Sequence, residues 1–286
     1  MPTVTILHTE PSIASVLART RLRLGPEAGG EAEILLAHVL GKTRTWLHTW
    51  PERVLTPEQQ AAFEGLLKRR LAGQPIAYLV GTRAFWSLDL TVTGETLIPR
   101  PETELLVEQA LARIPLDAAW RIADLGTGSG AVALAIASER PACTLVATDR
   151  SAAALAVARD NAARYRLRNV VFCEGAWFTP LKDERFEMIV SNPPYIAEDD
   201  PHLAQGDVRF EPRGALVAGT DGLDDLRTLA AGAGEYLEPA GWLLLEHGYD
   251  QGAAVRKLLL AHGFEEVGSV RDGLGHDRVT LGRRPS

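Results

Sequence analysis

Cysteine is nearly absent: Cys143 and Cys173 are the only two in 286 residues. That count excludes a disulfide framework and fits a reducing, cytoplasmic setting. Long hydrophobic runs are missing as well. No apolar stretch approaches the roughly 18 residues that cross a bilayer. The opening MPTVTILHTEPSIAS lacks the basic start and long apolar core of a leader, so no membrane association is expected. Positive charge is in deficit, with 30 Lys and Arg against 37 Asp and Glu for a net of −7. A protein that holds nucleic acid chiefly by its phosphates is therefore not expected. The only short basic run, Lys68 to Arg70, reads as a solvated helix face. The seven histidines show neither HxxxH nor HExxH spacing, and with two distant cysteines no metal site is expected. There is no internal repeat and no low-complexity tract.

What remains is an ordinary globular composition, 46% hydrophobic and 23% charged, in a length suited to one large or two modest domains. The first seventy or so residues read as all-helical. AEILLAHVLG sets Ile34, Leu35, His38 and Val39 on one stripe and closes on Gly41. TPEQQAAFEGLLKRRLAG opens with Thr56 as N-cap, Pro57 at the first helical position and Gln59 completing a capping box. Phe63, Leu66, Leu67 and Leu71 make its apolar face, and Gly73 ends it. Residues 75–98 then alternate, with Gly94 at a turn, and predict a β-hairpin linking residues 1–74 to residues 99–286. PRPETELLVEQALARI starts a helix on Pro101, with Glu102 and Glu104 where the helix dipole favours acids.

From Trp120 the pattern alternates between strand and helix. RIADLG, TLVATD, VVFCEG, FEMIVSN and GWLLLEH read as strands, and the tail supplies two more. AVALAIASER, SAAALAVARDNAARY and DLRTLAAGAGEYL are the intervening helices. Near-continuous apolar strands separated by helices predict an α/β fold with a mostly parallel sheet covered on both faces.

DLGTGSG follows the first of these strands and opens a helix. Gly126, Gly128 and Gly130 let the backbone turn tightly and approach a ligand at the carboxyl ends of the strands. The spacing differs from the dinucleotide GxGxxG, whose third glycine falls one residue later. Asp124 before the loop suits a cofactor with positive charge, such as the amino group and sulfonium of S-adenosyl-L-methionine. Asp149 ends the second strand, where a carboxylate can accept both ribose hydroxyls; a helix N-cap is its bland alternative. Trp177 and Phe178, after the third strand, either flank an adenine ring or belong to the core.

The fourth strand stops on Asn192, Pro193, Pro194 and Tyr195. Two prolines without N–H groups cannot extend the sheet, and they stiffen the turn that presents the asparagine. An amide nitrogen is a poor nucleophile because its lone pair is conjugated with the carbonyl. Two acceptors, the Asn192 side-chain oxygen and the Pro193 carbonyl, orient such an NH₂ group and stabilise positive charge developing on it.

NPPY combined with DLGTGSG resembles the Rossmann-like methyltransferases that act on planar amino nitrogens. With IPRPETE, GQPIAYLVGTRAFWSLDL, DPHLAQGDVRFEP and GWLLLEHGYDQG, nearly the whole chain is similar to the release-factor glutamine methyltransferases, the PrmC/HemK family. The resemblance implies a seven-stranded Rossmann-like methyltransferase sheet with a small helical domain that docks release factors. It implies S-adenosyl-L-methionine as methyl donor, S-adenosyl-L-homocysteine as product, and the glutamine of the release-factor GGQ motif as acceptor. By position, Gly126, Thr127, Gly128, Ser129, Gly130, Asp149, Trp177 and Asn192 would bind the donor. Asn192, Pro193, Pro194 and Tyr195 would receive the glutamine, with Asn192, Pro193 and Tyr195 as catalytic residues. Many relatives carry an acid where this chain has Ala176. Adenine presents the same flat NH₂ group, so an adenine-amino methyltransferase acting on DNA or RNA is the alternative reading. A non-catalytic cofactor-binding adaptor is the third. Glu246 and His247, at the fifth strand's end, read as structural, and IPRPETE reads equally as a helix start or a wall of the site.

Overall fold

The computed structural model describes residues 11–26 and 28–286. Most of the stretch read for a leader therefore lies outside the described residues. The chain divides into two compact units, Met1–Gly81 and Thr82–Ser286.

The first unit is helical: α1 (Ile13–Leu24), α2 (Glu31–Leu40), α3 (Arg44–Thr49), α4 (Pro57–Leu71) and α5 (Ile76–Val80). The Thr56 side chain accepts from Gln59 N while Gln59 reaches back to Thr56 N, so both halves of the capping box form. Gly41 ends α2 in the left-handed conformation, with φ +61°. Two faces differ from the sequence pattern. In α2 the buried stripe runs through Ala32, Leu35 and Leu36, and His38 is exposed. In α4 Phe63 and Leu67 are buried, whereas Leu71 at the last turn is exposed. These side chains meet Ile13, Leu17, Leu47 and Leu79 in one apolar core. Arg70 of the basic run is paired with Glu31 at 2.7 Å and 2.8 Å.

The second unit opens on a hairpin, β1 (Thr82–Phe85) and β2 (Leu88–Thr91). It is shorter than residues 75–98 and turns at Trp86–Ser87 rather than at Gly94. Trp86 takes φ +54°, and its N–H donates to Glu104 Oε1 at 2.8 Å, so a distant acid holds a turn the local sequence does not announce. A 3₁₀ turn (Pro101–Thr103) leads into α6 (Glu104–Leu111). Then follow β3 (Arg121–Leu125), α7 (Ala131–Glu139), β4 (Thr144–Asp149), α8 (Ala152–Arg164), β5 (Val170–Glu174) and β6 (Phe186–Ser191). The chain closes with α9 (Asp224–Tyr236), β7 (Leu237–Glu246), α10 (Gly252–Ala261), β8 (Glu265–Arg271) and β9 (Asp277–Arg283). Helix α10 was not anticipated from the sequence.

Seven strands form one sheet in the order β5-β4-β3-β6-β7-β9-β8, parallel except where β9 runs against β7 and β8. Alternate residues of each strand face opposite layers. Ile122 and Met188 pack with α6 and α7 on one face; Ala123 and Ile189 pack with α9 and α10 on the other. The order reverses at β3, where β4 lies on one side and β6 on the other. The crevice at the carboxyl ends of these strands is where open α/β sheets bind ligands. Among the described residues no helix is long and apolar enough to cross a membrane.

Candidate active site

The loop after β3 is built on a buried acid. Asp124 Oδ2 accepts from Thr127 Oγ1 at 2.6 Å and from the N–H of Ala133, in the first turn of α7, at 3.1 Å. The N–H groups of Gly126 and Thr127 both donate to Thr148 O at 2.9 Å, which ties the loop to β4. Gly126, Gly128 and Gly130 have φ of +77°, +56° and +87°, a region that costs other residues strain. At Gly126 space demands glycine too, since a Cβ would sit 3.2 Å from the Trp177 ring. Fully buried Asn161 of α8 donates to Ser129 O at 2.9 Å and exchanges hydrogen bonds with both Thr91 backbone groups, clamping the loop to β2.

Burial pushes the Asp124 carboxyl up to about 6, against the lowering effect of its two donors, and the nearby Asp149 charge adds to the rise. Ionising this acid therefore costs folding stability. Its favourable contribution is complete below about pH 4 and is lost as the pH rises through about 6. Urea unfolding of wild type and Asp124→Asn across that window should show a difference that changes with pH. A difference that stays constant would mean that Asp124 does not titrate in this way.

Gly126, Gly128, Asp149, Ala176, Trp177, Asn192 and Pro194 line a cleft at the switch point. Asp149 uses both oxygens on backbone, accepting from Gly128 N and Ser151 N at 2.9 Å each. Ser151, not Asp149, caps α8. Each Asp149 oxygen keeps a second lone pair beside the cleft. Trp177 holds φ +50°. Phe178 is elsewhere: it is buried and stacked on Tyr236 with centroids 4.7 Å apart, so it belongs to the core. Thr127, Ser129 and Gly130 are buried beneath the loop and do not line the cleft.

The NPPY segment enters from β6. Ser191 pairs with Leu245, so Asn192 emerges beside Glu246 at the tip of β7. Asn192 Nδ2 donates to Thr103 Oγ1 at 3.1 Å. Pro193 is buried and Pro194 faces the cleft. Tyr195 donates its hydroxyl to Glu246 Oε1 at 3.3 Å, and its carbonyl accepts from Gln251 Nε2 at 3.0 Å. Beyond it, Ile196 exchanges backbone hydrogen bonds with Leu216 and Ala218. Burial raises the Tyr195 phenol above its ordinary range, and the Glu246 charge adds to this.

IPRPETE is both a helix start and a wall. Thr103 supports Asn192, and Arg100 is ion-paired with the buried Glu211 carboxylate. Burial raises Glu211 despite that pairing. Its Oε2 also accepts from Ile98 N, so the segment carrying Pro212, Gly214 and Ala215 is fastened over the cleft beside Glu95, Thr96 and Leu97. Arg150 donates to Gly214 O at 2.6 Å from the other side. Sequence reasoning did not single out Thr103, Glu211 or Gln251 as site residues. The available signal was position: Glu246 ends an apolar strand and faces the same crevice as Asn192.

Residues 15–81 match the PrmC N-terminal domain family, and residues 101–208 match the methyltransferase small domain family. The release factor glutamine methyltransferase of Xylella fastidiosa is 56% identical over 255 residues, covering 89% of this chain and 93% of that protein. The enzyme of the same name from Pseudomonas aeruginosa is 53% identical over 272 residues, covering 95% and 98%. This chain belongs to the release factor glutamine methyltransferases. A methyltransferase structure from Pyrococcus furiosus, at 18% identity and a TM-score of 0.54, covers 78% of this chain and all of that one; it supports the fold alone. Within this family the cleft has the features a methyl donor needs. The glycine loop comes close enough to Trp177 that a Cβ at Gly126 would press on the indole, and Asp149 offers lone pairs beside them. These residues fit an adenosyl group, with the indole for a flat ring and the carboxylate for a ribose diol.

Proposed function

We propose that this protein methylates the side-chain amide nitrogen of the glutamine in the GGQ motif of peptide-chain release factors, modulating translation termination. S-adenosyl-L-methionine, when bound, supplies a methyl group already activated on a sulfonium. Gly126, Gly128, Asp149 and Trp177 hold the donor, while Thr127, Ser129 and Gly130 shape the loop from below. The observation that carries the reading is the Asn192 amide. Its nitrogen is engaged by Thr103, which leaves its oxygen to accept from a substrate NH₂ group at the cleft.

Asn192 Oδ1 and the Pro193 carbonyl take the two N–H bonds of the substrate amide. They aim its nitrogen and stabilise the positive charge that develops there. The rigid prolines keep these acceptors from relaxing away. Tyr195 bounds the place of the flat amide with its ring. The helical unit, which matches the PrmC N-terminal domain, is the release-factor docking module in this reading. The two free cysteines fit action in the reducing cytoplasm.

The test is incubation with labelled methyl donor and a recombinant bacterial release factor, beside one whose GGQ glutamine is changed to alanine. Label on the first alone is the expected result. Label on neither, with donor binding demonstrated, would overturn the reading and direct the assay to DNA and RNA.

A further inference from the structure

An asparagine amide turned by 180° exchanges oxygen for nitrogen at little steric cost. Asn192 can accept from a substrate NH₂ group only if its oxygen faces the cleft. The partner on its other side decides which way it sits, and that partner is the buried Thr103 hydroxyl. A hydroxyl has one proton. When that proton points away from Asn192, the oxygen of Thr103 accepts from Nδ2 and the amide presents Oδ1 to the substrate. When it points at Asn192, the amide is reversed and offers a donor where an acceptor is needed.

Glu246 is the acid placed to take that proton. Its carboxylate is 1% exposed and accepts the Tyr195 hydroxyl on Oε1, and the Thr103 hydroxyl is near enough to favour its charged form. Oε2 is buried without a hydrogen-bond partner among the described residues, so it is free to take the Thr103 proton. An ionised carboxylate only accepts. An ionised Glu246 would draw both neighbouring hydroxyl protons toward it and turn the lone pairs of Thr103 to Asn192.

We propose that Glu246 is a positioning residue: by taking the Thr103 and Tyr195 protons it sets the direction of a hydrogen-bond relay that keeps the Asn192 oxygen facing the substrate amide. The proposal rests on the methyl-transfer reading of the cleft and adds to it a residue that touches neither substrate nor donor. The relay needs an ionised acid. Burial pushes the Glu246 carboxyl up to about 7; Thr103, Arg278 and Tyr195 oppose the rise and Glu102 adds to it. The other charged or titratable groups nearby are Arg100, which acts on Tyr195, and the adjacent His247, which burial holds toward its neutral form. Once protonated, Glu246 gains a donor and no longer dictates where the Thr103 proton lies. Turnover should therefore fall as the pH drops below about 7.

The experiment compares wild type with Glu246→Gln, Thr103→Val and Thr103→Ser, measuring kcat and KM on a release factor together with calorimetric affinity for S-adenosyl-L-homocysteine. Glutamine and valine keep the side-chain volumes, so folding is preserved; serine keeps the hydroxyl. Expected are kcat losses of about 30-fold or more in Glu246→Gln and Thr103→Val, with product affinity changed less than about three-fold. Thr103→Ser should retain most activity, and the acid limb near pH 7 should disappear in Glu246→Gln. Near-normal kcat in either of the first two variants would overturn the proposal, as would Thr103→Ser failing as badly as Thr103→Val. A second readout needs no turnover: by NMR the Asn192 Nδ2 protons should exchange slowly in wild type and faster in Thr103→Val and Glu246→Gln. Equal exchange in all three would overturn the relay. A wild type that labels no release factor while showing this exchange pattern would overturn the functional reading and leave the relay standing.

Discussion

Asn192→Ala should cut turnover on a release factor by about 10²–10³-fold, the range found when one preorganised polar group facing developing charge is removed. The loss should appear in kcat at saturating substrates. The cause is electrostatic and geometric together. The substrate amide loses one of its two acceptors, so its nitrogen is neither aimed nor stabilised as positive charge builds on it. Alanine also leaves the Thr103 hydroxyl without the Nδ2 donor. That is one part-buried hydrogen bond, worth about 1 kcal/mol of stability. The variant should therefore remain folded, because the segment is also anchored through Gln251, Leu216 and Ala218. Single-turnover methylation and thermal unfolding, run on the same preparation, separate the two effects. A folded Asn192→Ala protein with near-normal turnover would remove Asn192 from the mechanism.

Asp149→Asn should weaken binding of the methyl donor by about 30–100-fold, as expected for loss of a charge-assisted hydrogen-bond pair worth about 2–3 kcal/mol. The carboxylate does two jobs with two oxygens. Each accepts a backbone N–H, from Gly128 or Ser151, and each has a further lone pair beside the cleft. An asparagine offers one oxygen and one NH₂ group, so one backbone N–H must face another donor. The glycine loop would be loosened on the side where it meets β4, and one ribose hydroxyl would lose its acceptor. Calorimetric titration with S-adenosyl-L-homocysteine reads this directly. An unchanged Kd would mean that Asp149 only supports the loop.

The two variants should separate cleanly in kinetics. In the proposed reading Asn192 acts on the methyl acceptor, so its loss falls on kcat, and Asp149 acts on the donor, so its loss can be overcome in part by raising donor concentration.

Much of the architecture was legible because its signals are local. Continuous apolar runs such as TLVATD and FEMIVS are what a strand covered on both faces requires. Three glycines in five residues announce a loop with φ values that side chains resist. Thr56, Pro57 and Gln59 cap a helix through bonds three residues apart. NPPY must end a strand because prolines cannot donate to the sheet. Even so, local pattern misplaced the hairpin turn, which sits at Trp86 because Glu104, eighteen residues on, holds its N–H. It also left Phe178 undecided between ligand and core; packing against Tyr236 settles it in the core.

The sequence by itself determined the strand and helix series, the glycine loop at a strand tip and the asparagine presented by two prolines, since each follows from backbone dihedrals and short-range periodicity. Only the tertiary structure decided which polar groups meet around that asparagine. Thr103 lies 89 residues from Asn192, and Glu246 lies 51 from Tyr195. They converge because β6 and β7 pair in a register that sets Ser191 beside Leu245, and because the turn before α6 reaches the same crevice. Nothing local in IPRPETE or LLLEHG encodes that meeting. It arises because buried polar groups must find partners, and strand register dictates which partners are within reach.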